Sequence, residues 1–501
     1  MSDIILSTIN SKYIHTSLGL RYLYANLGEL QANCELIEFT LKDSEPFIVE
    51  TILNKNPKIF ALGVYIWNIE KVKQVVQILR KVNQEIKIIL GGPEVSYGKN
   101  DFLNVDNLTI LKGEADLSFA NSCKQFLNNE TLPDVIEATQ PELLELSSPY
   151  PYITEEDISN KLIYVESSRG CVFKCEFCLS SIEEKVRKFD LNKFLDEMKV
   201  LLDRGCKCFK FVDRTFNLNI KDSKRILEFF LAHADEDVFL HFELVPDHFP
   251  ESLKECISKF KEGQVQFEIG IQTFANNVLE NISRKMNVEK TVENIRFLKN
   301  NTRVHLHTDL IVGLPGESIQ SFEQSFNLLY SLTPEEIQVG ILKNLKGTPI
   351  VRHYEDFEMI FEEKPPYAIL QNALINFSQM QELKRFARYI DIFYNCNRFE
   401  ESFELLIQYH NNNAFNAFMS FGNWIWEKEK QEHDIGLKLK FQFLYDYLTS
   451  VCKSNVEDTV EILARDFMSP KLNPNHSQSS LPDVLRKEVD ALRRGIQKSK
   501  R

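Results

Sequence analysis

The stretch "LIYVESSRGCVFKCEFC", residues 162–178, joins a short apolar run to three closely spaced cysteines. The run is rich in the β-branched and aromatic residues of a buried strand. Cys171, Cys175 and Cys178 follow within eight positions, in a chain whose other cysteines are scattered. The stretch therefore predicts a metal-binding loop at the carboxyl end of a strand.

The same strand–helix pattern continues and predicts the fold of the centre of the chain. Six apolar strands recur, most of them separated by a helix-length segment: "LIYVESS", "CFKFVDRTF", "VFLHFELV", "VQFEIGIQTF", "RVHLHTDLIVGLPGE" and "EIQVGIL". Six βα units indicate a (β/α)6 partial TIM barrel over residues 161–350. Functional residues of such barrels lie in the loops after the strands, where the cysteines also lie.

Residues 1–130 alternate short apolar runs with helical patterns, which indicates an α/β domain with a doubly wound, Rossmann-like parallel sheet. The turn "GGPEVS", residues 91–96, ends the fourth strand. Because such sheets bind ligands at the carboxyl ends of their strands, we expect a pocket at that edge.

The remaining boundaries follow from composition. Residues 131–160 lose the periodicity and contain several prolines, which predicts a linker. Residues 351–468 have a helical pattern rich in Phe, Tyr and Leu, and we expect their aromatic side chains to form core. Residues 469–501 are polar and end in a basic run, which predicts a flexible tail.

Composition excludes several classes of protein. The 501 residues are 43% hydrophobic and 26% charged, which is typical of a globular protein. The longest apolar runs are about half of the roughly 20 residues that a membrane helix needs. A cytoplasmic location is expected, since the N-terminus lacks a signal-peptide pattern and the cysteines do not form a disulfide framework. A net charge of −13 argues against nucleic acid as a partner.

The spacing C-x3-C-x2-C lets three thiolates face a common centre, and soft thiolates select iron–sulfur clusters, zinc or copper(I). Structural zinc normally has a second Cys or His pair, and the nearest cysteines, Cys206 and Cys208, have the wrong spacing. Three buried cysteines that act as small apolar groups are another alternative. Three ligands for a four-iron cluster would leave one iron open, which suits catalysis better than electron transfer.

"CVFKCEFC", placed after the first strand of a sixfold βα pattern, resembles the motif of the radical S-adenosylmethionine (radical SAM) superfamily. The resemblance implies that Cys171, Cys175 and Cys178 hold a [4Fe-4S] cluster. It also implies that S-adenosylmethionine binds the open iron and is reductively cleaved to a 5'-deoxyadenosyl radical. No catalytic side chain beyond these cofactor contacts is identified.

The resemblance implies further cofactor-binding residues at the strand ends. In "FVDRTFN" these are Asp213, Arg214 and Thr215, although the usual Gly-Gly-Glu is absent. The others are Glu243 in "FELVP", Gln272 in "EIGIQTF", and Asp309 and Gly313 in "DLIVGLPGES". Helix caps for the aspartates, a satisfied buried amide for the glutamine and plain turns for the glycines are the alternatives.

The N-terminal domain resembles the cobalamin-binding domain that precedes the barrel in many radical enzymes. Gly91 and Gly92 could let the backbone approach a corrinoid, but an ordinary turn is an equal alternative. The axial-histidine motif Asp-x-His-x-x-Gly is broken in "KYIHTSLG", so His15 is interpreted as a loop histidine. The domain then binds cobalamin without a protein ligand to cobalt, or it has lost the cofactor.

Together these features predict a radical SAM enzyme with a small-molecule substrate and a reductant such as flavodoxin or ferredoxin. A cobalamin-dependent methyltransferase is one reaction of this class; radical rearrangement and ring formation are others. The C-terminal region resembles a domain of unknown function found after the barrel in one branch of these proteins. The alternative from another class is a non-catalytic iron–sulfur or corrinoid-binding module that senses redox state.

Overall fold

The computed structural model describes residues 2–98, 101–182, 185–235, 237–469 and 481–499. It contains an N-terminal sheet domain, a parallel barrel sheet and a helical C-terminal region, as the sequence predicts. Among the described residues, no helix combines the length and the apolar character that crossing a bilayer requires.

The N-terminal domain has a six-stranded, wholly parallel sheet in the order β2-β1-β3-β4-β5-β6. Its strands are β1 (Ile4–Asn10), β2 (Cys34–Thr40), β3 (Ile59–Gly63), β4 (Lys87–Gly91), β5 (Leu108–Lys112) and β6 (Val135–Glu137). Its helices are α1 (Leu18–Ala25), α2 (Glu45–Lys55), α3 (Ile69–Val82), α4 (Pro93–Ser96) and α5 (Ser118–Leu127).

Both faces of this N-terminal sheet are buried. Alternate residues of one strand enter two separate apolar clusters, so that Ile5 lies in one and Ile4 in the other. This is why the strands read as nearly continuous apolar runs. The strand order reverses between β1 and β3, which is the position where doubly wound sheets bind ligands.

Residues 131–160 are more ordered than the predicted linker. Val135–Glu137 pairs with β5 as the sixth strand of the N-terminal sheet. A short helix, α6 (Glu155–Asn160), begins at a capping box formed by Thr154 and Asp157. The prolines therefore mark turns around two short elements, and the sheet domain extends past the predicted boundary at residue 130.

The barrel sheet consists of six parallel strands in chain order, with β7 and β14 at its edges. The chain adds, in order, β7 (Ile163–Val165), β8 (Ser168–Arg169), β9 (Arg187–Lys188), β10 (Cys208–Phe211), β11 (Phe239–Leu244), β12 (Val265–Gln272), β13 (His305–Val312) and β14 (Glu336–Ile341). Of these, β8 and β9 form a separate antiparallel ribbon. The helices are α7 (Leu191–Asp203), α8 (Ile220–His233), α9 (Glu251–Ile257), α10 (Asn276–Asn281), α11 (Val288–Asn301) and α12 (Ile319–Ser331).

The C-terminal region packs on α12 through aromatic side chains. It comprises β15 (Ile360–Phe361), β16 (Ile369–Gln371), α13 (Phe377–Tyr389), α14 (Glu400–Tyr409), α15 (Ala414–Glu429), α16 (Leu437–Asp446), α17 (Val456–Met468) and α18 (Arg486–Ser499). Phe326 on α12 lies 4.9 Å from the Phe386 ring and 6.3 Å from the Phe415 ring, measured between centroids. The aromatic residues of this region are therefore largely core.

The predicted flexible tail also differs from the structure. Residues 470–480 lie outside the described residues. Beyond them, α18 is helical and Leu485 and Val489 are fully buried in the main core. Leu485 and Val489 are four positions apart, a spacing that is typical of one face of a helix, and this pattern was missed within the basic, polar sequence.

Candidate functional site

The three motif cysteines line one pocket at the carboxyl end of the barrel strands, here called the barrel pocket. Cys171 and Cys175 are buried and Cys178 is partly exposed. Burial raises the pKa of the Cys171 thiol, and the neighbouring thiols of Cys178 and Cys175 raise it further. The three cysteines thus lie together at the strand end, and their role as metal ligands stays a prediction.

The arrangement of the thiols differs from that of a single-ion site. Within the part of the chain that the structure describes, no group of three or more His, Cys, Asp or Glu side chains is arranged to hold one metal ion. Ligands of a single zinc ion must converge, because each sulfur lies about 2.3 Å from the metal. In a four-iron cluster each cysteine binds a different iron, so the thiols need not converge.

A buried carboxylate holds the cysteine loop in place from within the motif. Glu176 accepts hydrogen bonds from Ser283 and Arg352, and its other oxygen lies 2.8 Å from His353 Nε2. Its backbone carbonyl accepts from the Ile350 amide at 3.0 Å. The loop is thus tied to the segment that leaves the barrel, a contact between residues far apart in sequence.

Most of the other predicted site residues face the cysteines across the barrel pocket. Arg214, Thr215, Glu243, Gln272 and Asp309 all line it. Arg214 Nη1 lies 3.1 Å from Glu243 Oε1, which places a cation and a carboxylate side by side in the wall. Burial raises the pKa of Glu243, and the charge of Arg214 opposes that shift.

Gln272 combines two uncommon features at the end of β12. Its φ of +74° lies in the left-handed region, at a register shift between Gly270 and Gln272. Its side-chain Oε1 is buried and has no hydrogen-bond partner. A strained backbone and an unpaired buried acceptor at one residue are typical of ligand sites. The alternative of a satisfied buried amide does not fit this side chain.

Sequence reasoning missed Arg284, which lies beside the cysteines. Its Nη1 is 3.3 Å from Cys175 Sγ, and its Nη2 donates to the Gly270 carbonyl. Lys285 and Met286 follow it along the pocket wall. The segment "SRK" after α10 shows no local pattern beyond its positive charge. Cys175, which Arg284 contacts, is more than one hundred residues away in sequence.

The concave face of the barrel sheet is polar, and it leads down from the barrel pocket. Burial would raise the pKa of Glu268, but His241 at 2.9 Å and Lys210 at 3.7 Å lower it to about 2. On the next strand, burial would lower the pKa of His307, but Asp309 and Glu336 raise it to about 10.

Two of the site residues predicted in the barrel domain lie outside the barrel pocket. Asp213 is buried and accepts hydrogen bonds from the Ser167 amide and from the hydroxyls of Ser167 and Ser168, at 2.6 to 3.0 Å. It therefore anchors the loop before the cysteines. Gly313 has a φ of +89°, and a Cβ there would lie 2.8 Å from Ile369 Cγ2 on β16. Glycine at this position allows the close approach of the C-terminal region.

A second pocket, here called the N-terminal pocket, lies at the carboxyl edge of the N-terminal sheet, where the sequence predicts it. Gly91 and Gly92 line it, together with apolar side chains of β1, α1 and α5. At Gly92, with a φ of +106°, a Cβ would lie 2.5 Å from the Val64 carbonyl oxygen. At Gly91 and Gly113 an added Cβ would have a single neighbour within 4 Å, so the space beside each is open.

His15 lies away from this pocket. Its Nδ1 is 2.7 Å from the Tyr164 hydroxyl, and its backbone pairs with Leu162 next to β7. This placement agrees with a structural loop histidine.

A polar cavity between the two domains, here called the interdomain cavity, borders both pockets. It shares Gly92 and Gly113 with the N-terminal pocket and Ser180 with the barrel pocket. Glu114 and Arg187 contribute charged walls. A large ligand held by the N-terminal domain would therefore lie beside the cysteine loop.

The chain thus combines a sheet domain, a partial parallel barrel with a three-cysteine pocket, and a helical region. Family models specify the class: residues 165–329 match the Radical SAM superfamily, residues 5–121 the B12 binding domain, and residues 355–500 a protein of unknown function (DUF4080). The chain therefore contains a radical SAM domain between a B12-binding domain and a DUF4080 domain, as the sequence predicts.

Curated relatives match the chain at low identity. The ribosomal protein uS12 methylthiotransferase RimO of Phocaeicola vulgatus is 25% identical over 240 residues, which are 46% of this chain and 53% of the relative. An uncharacterised methyltransferase of Pyrococcus horikoshii is 22% identical over 360 residues, 66% of this chain and 76% of the relative. The chain thus spans about half of the length of the methylthiotransferase.

Solved structures share the fold. The cobalamin-dependent S-adenosylmethionine radical enzyme OxsB has a TM-score of 0.63 at 13% identity, over 99% of this chain and 81% of OxsB. The radical S-adenosylmethionine methyltransferase TsrM from Kitasatospora setae has a TM-score of 0.55 at 14% identity, over 70% of this chain and 75% of TsrM. These similarities extend to the domain arrangement and confirm the predicted fold class.

Proposed function

We propose that this protein is a cobalamin-dependent radical SAM enzyme that transfers a methyl group to a small-molecule substrate. One observation carries the proposal: the interdomain cavity borders both the three-cysteine barrel pocket and the glycine-edged N-terminal pocket. A cluster and a corrinoid could thus act on one substrate between them.

The barrel pocket fits a [4Fe-4S] cluster. Cys171, Cys175 and Cys178 would each bind one iron, and Arg284 would offset the negative charge of the thiolates. When bound, such a cluster supplies the electron that cleaves S-adenosylmethionine and thereby yields the 5'-deoxyadenosyl radical. The fourth iron would be left open for that cosubstrate.

The opposite wall of the barrel pocket fits S-adenosylmethionine. The unpaired Gln272 Oε1 would accept a hydrogen bond from a ribose hydroxyl. The Arg214–Glu243 pair offers a cation and a carboxylate to the carboxylate and ammonium of the methionine part. Asp309 places a further carboxylate in this wall, where its Oδ1 lies 3.3 Å from His307 Nε2.

The N-terminal pocket fits the apolar and amide-rich periphery of a corrinoid. The open space beside Gly91 and Gly113 would be filled by any side chain, and a ligand can use it instead. Because His15 is engaged with Tyr164, we propose that cobalamin binds here without a histidine ligand to cobalt.

Methyl transfer is favoured over methylthiolation by the remaining cysteines. A methylthiotransferase needs a second cluster as sulfur source, and the N-terminal domain contains only Cys34 and Cys123. Both are buried in its apolar core, where burial raises their thiol pKa. A reductant such as flavodoxin or ferredoxin would supply the electron.

Anaerobic reconstitution with iron and sulfide tests the proposal. The reduced chain should convert S-adenosylmethionine to 5'-deoxyadenosine, measured by liquid chromatography, and should bind about one hydroxocobalamin by absorbance. Cys178→Ala should lower 5'-deoxyadenosine formation at least a hundredfold, whereas Cys452→Ala, a half-buried cysteine far along the sequence, should not. A full cluster without 5'-deoxyadenosine would favour the non-catalytic redox module, and absence of corrinoid binding would exclude the cobalamin-dependent reaction.

A further inference from the structure

The cysteine loop begins and ends at one short ribbon. Ser168–Arg169 and Arg187–Lys188 pair as antiparallel strands, so β8 enters the loop and β9 leaves it. Arg169 directly precedes Gly170, whose φ is +92°, and Cys171 follows. Movement of this ribbon would therefore move the first cysteine.

Both strands of the ribbon hold the same carboxylate of the N-terminal domain. Glu114 Oε2 lies 2.9 Å from Arg169 Nη1, and its other oxygen accepts from Arg187 Nη2. Glu114 follows β5 and Gly113, on the loop that also forms the wall of the interdomain cavity. Its two arginines come from the barrel domain, which makes it a contact between domains.

Arg169 is also fixed by the wall of the N-terminal pocket. It forms a two-point contact with Asp116 at 3.0 and 3.2 Å, and both residues line that pocket. Its guanidinium lies 4.6 Å from the Tyr22 ring and 5.7 Å from the Phe189 ring. The side chain of Arg169 thus lines the N-terminal pocket, and its backbone leads into the cysteine loop.

Several contacts hold the Arg169 side chain in one orientation. Arg169, with 15% of its side chain exposed, contacts three carboxylates, the third being Glu166 at 2.9 Å. Planar guanidinium contacts of this kind fix direction as well as distance. Because Arg169 and Asp116 both line the N-terminal pocket, a ligand that fills it would lie beside them.

We propose that Glu114, with Arg169 and Arg187, couples corrinoid binding in the N-terminal pocket to the position of the cysteine loop. The inference rests on the proposed function, because it takes the corrinoid and the cluster as ligands. Glu114 and the two arginines are positioning residues in this account. Coupling between two sites is reciprocal. The chain with its cluster should therefore bind the corrinoid more tightly than the iron-free chain.

The experiment measures that coupling directly. The dissociation constant of hydroxocobalamin is determined by absorbance titration for the chain with its reconstituted cluster and for the iron-free chain. We expect about tenfold tighter binding with the cluster, within the range typical of coupled sites. In Glu114→Gln, which removes the carboxylate that both arginines contact, the ratio of the two constants should fall to within about twofold of one. In Arg187→Gln, which keeps the Arg169–Glu114 contact, the ratio should fall to about half of the wild-type ratio or less.

The ratio separates coupling from a direct contact with the corrinoid, because a direct contact changes both constants equally. Glu137→Gln, which removes an exposed carboxylate that contacts Lys112 at 3.0 Å, is the matched control and should keep the wild-type ratio. If Glu114→Gln fails to fold, Arg187→Gln decides, since it keeps Arg169 with Glu114 and Asp116.

A wild-type ratio of one would overturn the coupling. A wild-type ratio retained in Glu114→Gln, or in Arg187→Gln if Glu114→Gln does not fold, would also overturn it. Absence of hydroxocobalamin binding in both forms of the wild-type chain would instead overturn the proposed function.

Discussion

The N-terminal sheet and the barrel sheet are both six-stranded and wholly parallel. The N-terminal sheet buries both of its faces, whereas the barrel sheet leaves its concave face partly exposed. In the N-terminal sheet, neighbouring residues such as Ile4 and Ile5 are both fully buried, one on each face. In the barrel sheet the strands alternate, so that Phe267 is buried and Glu268 is partly exposed on the concave face. Closed eight-stranded TIM barrels, by contrast, usually fill their interior with branched apolar side chains.

The difference indicates where each sheet can bind a ligand. A sheet that is apolar on both faces is covered by helices and offers its carboxyl edge alone, which is where the N-terminal pocket lies. The barrel sheet offers its edge and also its concave face, where His241 lies 2.9 Å from Glu268 and His307 lies 2.9 Å from Glu336.

Replacing one central residue in each sheet gives the largest expected contrast. Phe60→Ala on β3 should lower the free energy of unfolding by about 4 kcal/mol, because it leaves a cavity in a fully buried layer. Gln266→Ala on the concave face should cost less than about 1 kcal/mol. Urea unfolding of both variants measures the difference. Equal losses of unfolding free energy in the two variants would contradict the difference in burial between the two sheets.

The charges of the concave face predict a pH dependence that the apolar N-terminal sheet lacks. The pKa of His307 is raised to about 10, so its stabilising contribution is present below about pH 6.5 and is lost as the pH rises through 10. His307→Gln should therefore destabilise the protein by about 3 kcal/mol at pH 7 and by much less at pH 10.5.

Urea unfolding of wild type and His307→Gln across this range measures the effect. His248→Gln, at an exposed loop position, is the control and should show a small difference throughout. A difference for His307→Gln that stays constant with pH would contradict the charged network.

The edge of the N-terminal sheet should be sensitive at Gly92. Gly92→Ala should cost about 2 kcal/mol, because the new Cβ would meet the Val64 carbonyl oxygen at 2.5 Å and the residue has a positive φ. Gly263→Ala, with a positive φ but no atom within 4 Å, should cost about 1 kcal/mol. Thermal unfolding compares the two variants, and a cost at Gly92 no greater than at Gly263 would exclude the close approach as its cause.

Local sequence patterns predicted much of the fold and the centre of the site. The six barrel strands, the turn at Gly91 and Gly92, and the shared placement of the three cysteines all follow from periodicity and spacing. The sequence also indicates the polar concave face, because "VQFEIGIQ" and "HLHTDLIV" alternate apolar and polar residues with a period of two.

Contacts between distant residues could not be predicted. Glu176 lies within the cysteine motif, but its role depends on Arg352 and His353, which are 176 and 177 positions away. Asp213 was expected at the cofactor, whereas Ser167 and Ser168 engage its oxygens. A strand-end aspartate looks the same in sequence whether it binds a ligand or anchors a neighbouring loop.

The short elements were missed for a related reason. The strand Val135–Glu137 has three residues, too few for a periodic signal, and it forms because β5 offers a free edge. Helix α18 is stabilised by burial of Val489 against the helical core, which composition alone does not reveal.

The central claim is that three cysteines leave one iron open to S-adenosylmethionine, and electron paramagnetic resonance of the reduced, reconstituted chain tests it most directly. We predict that adding S-adenosylmethionine changes the g-values of the cluster signal. A signal of the same cluster that remains unchanged at saturating S-adenosylmethionine would contradict the account.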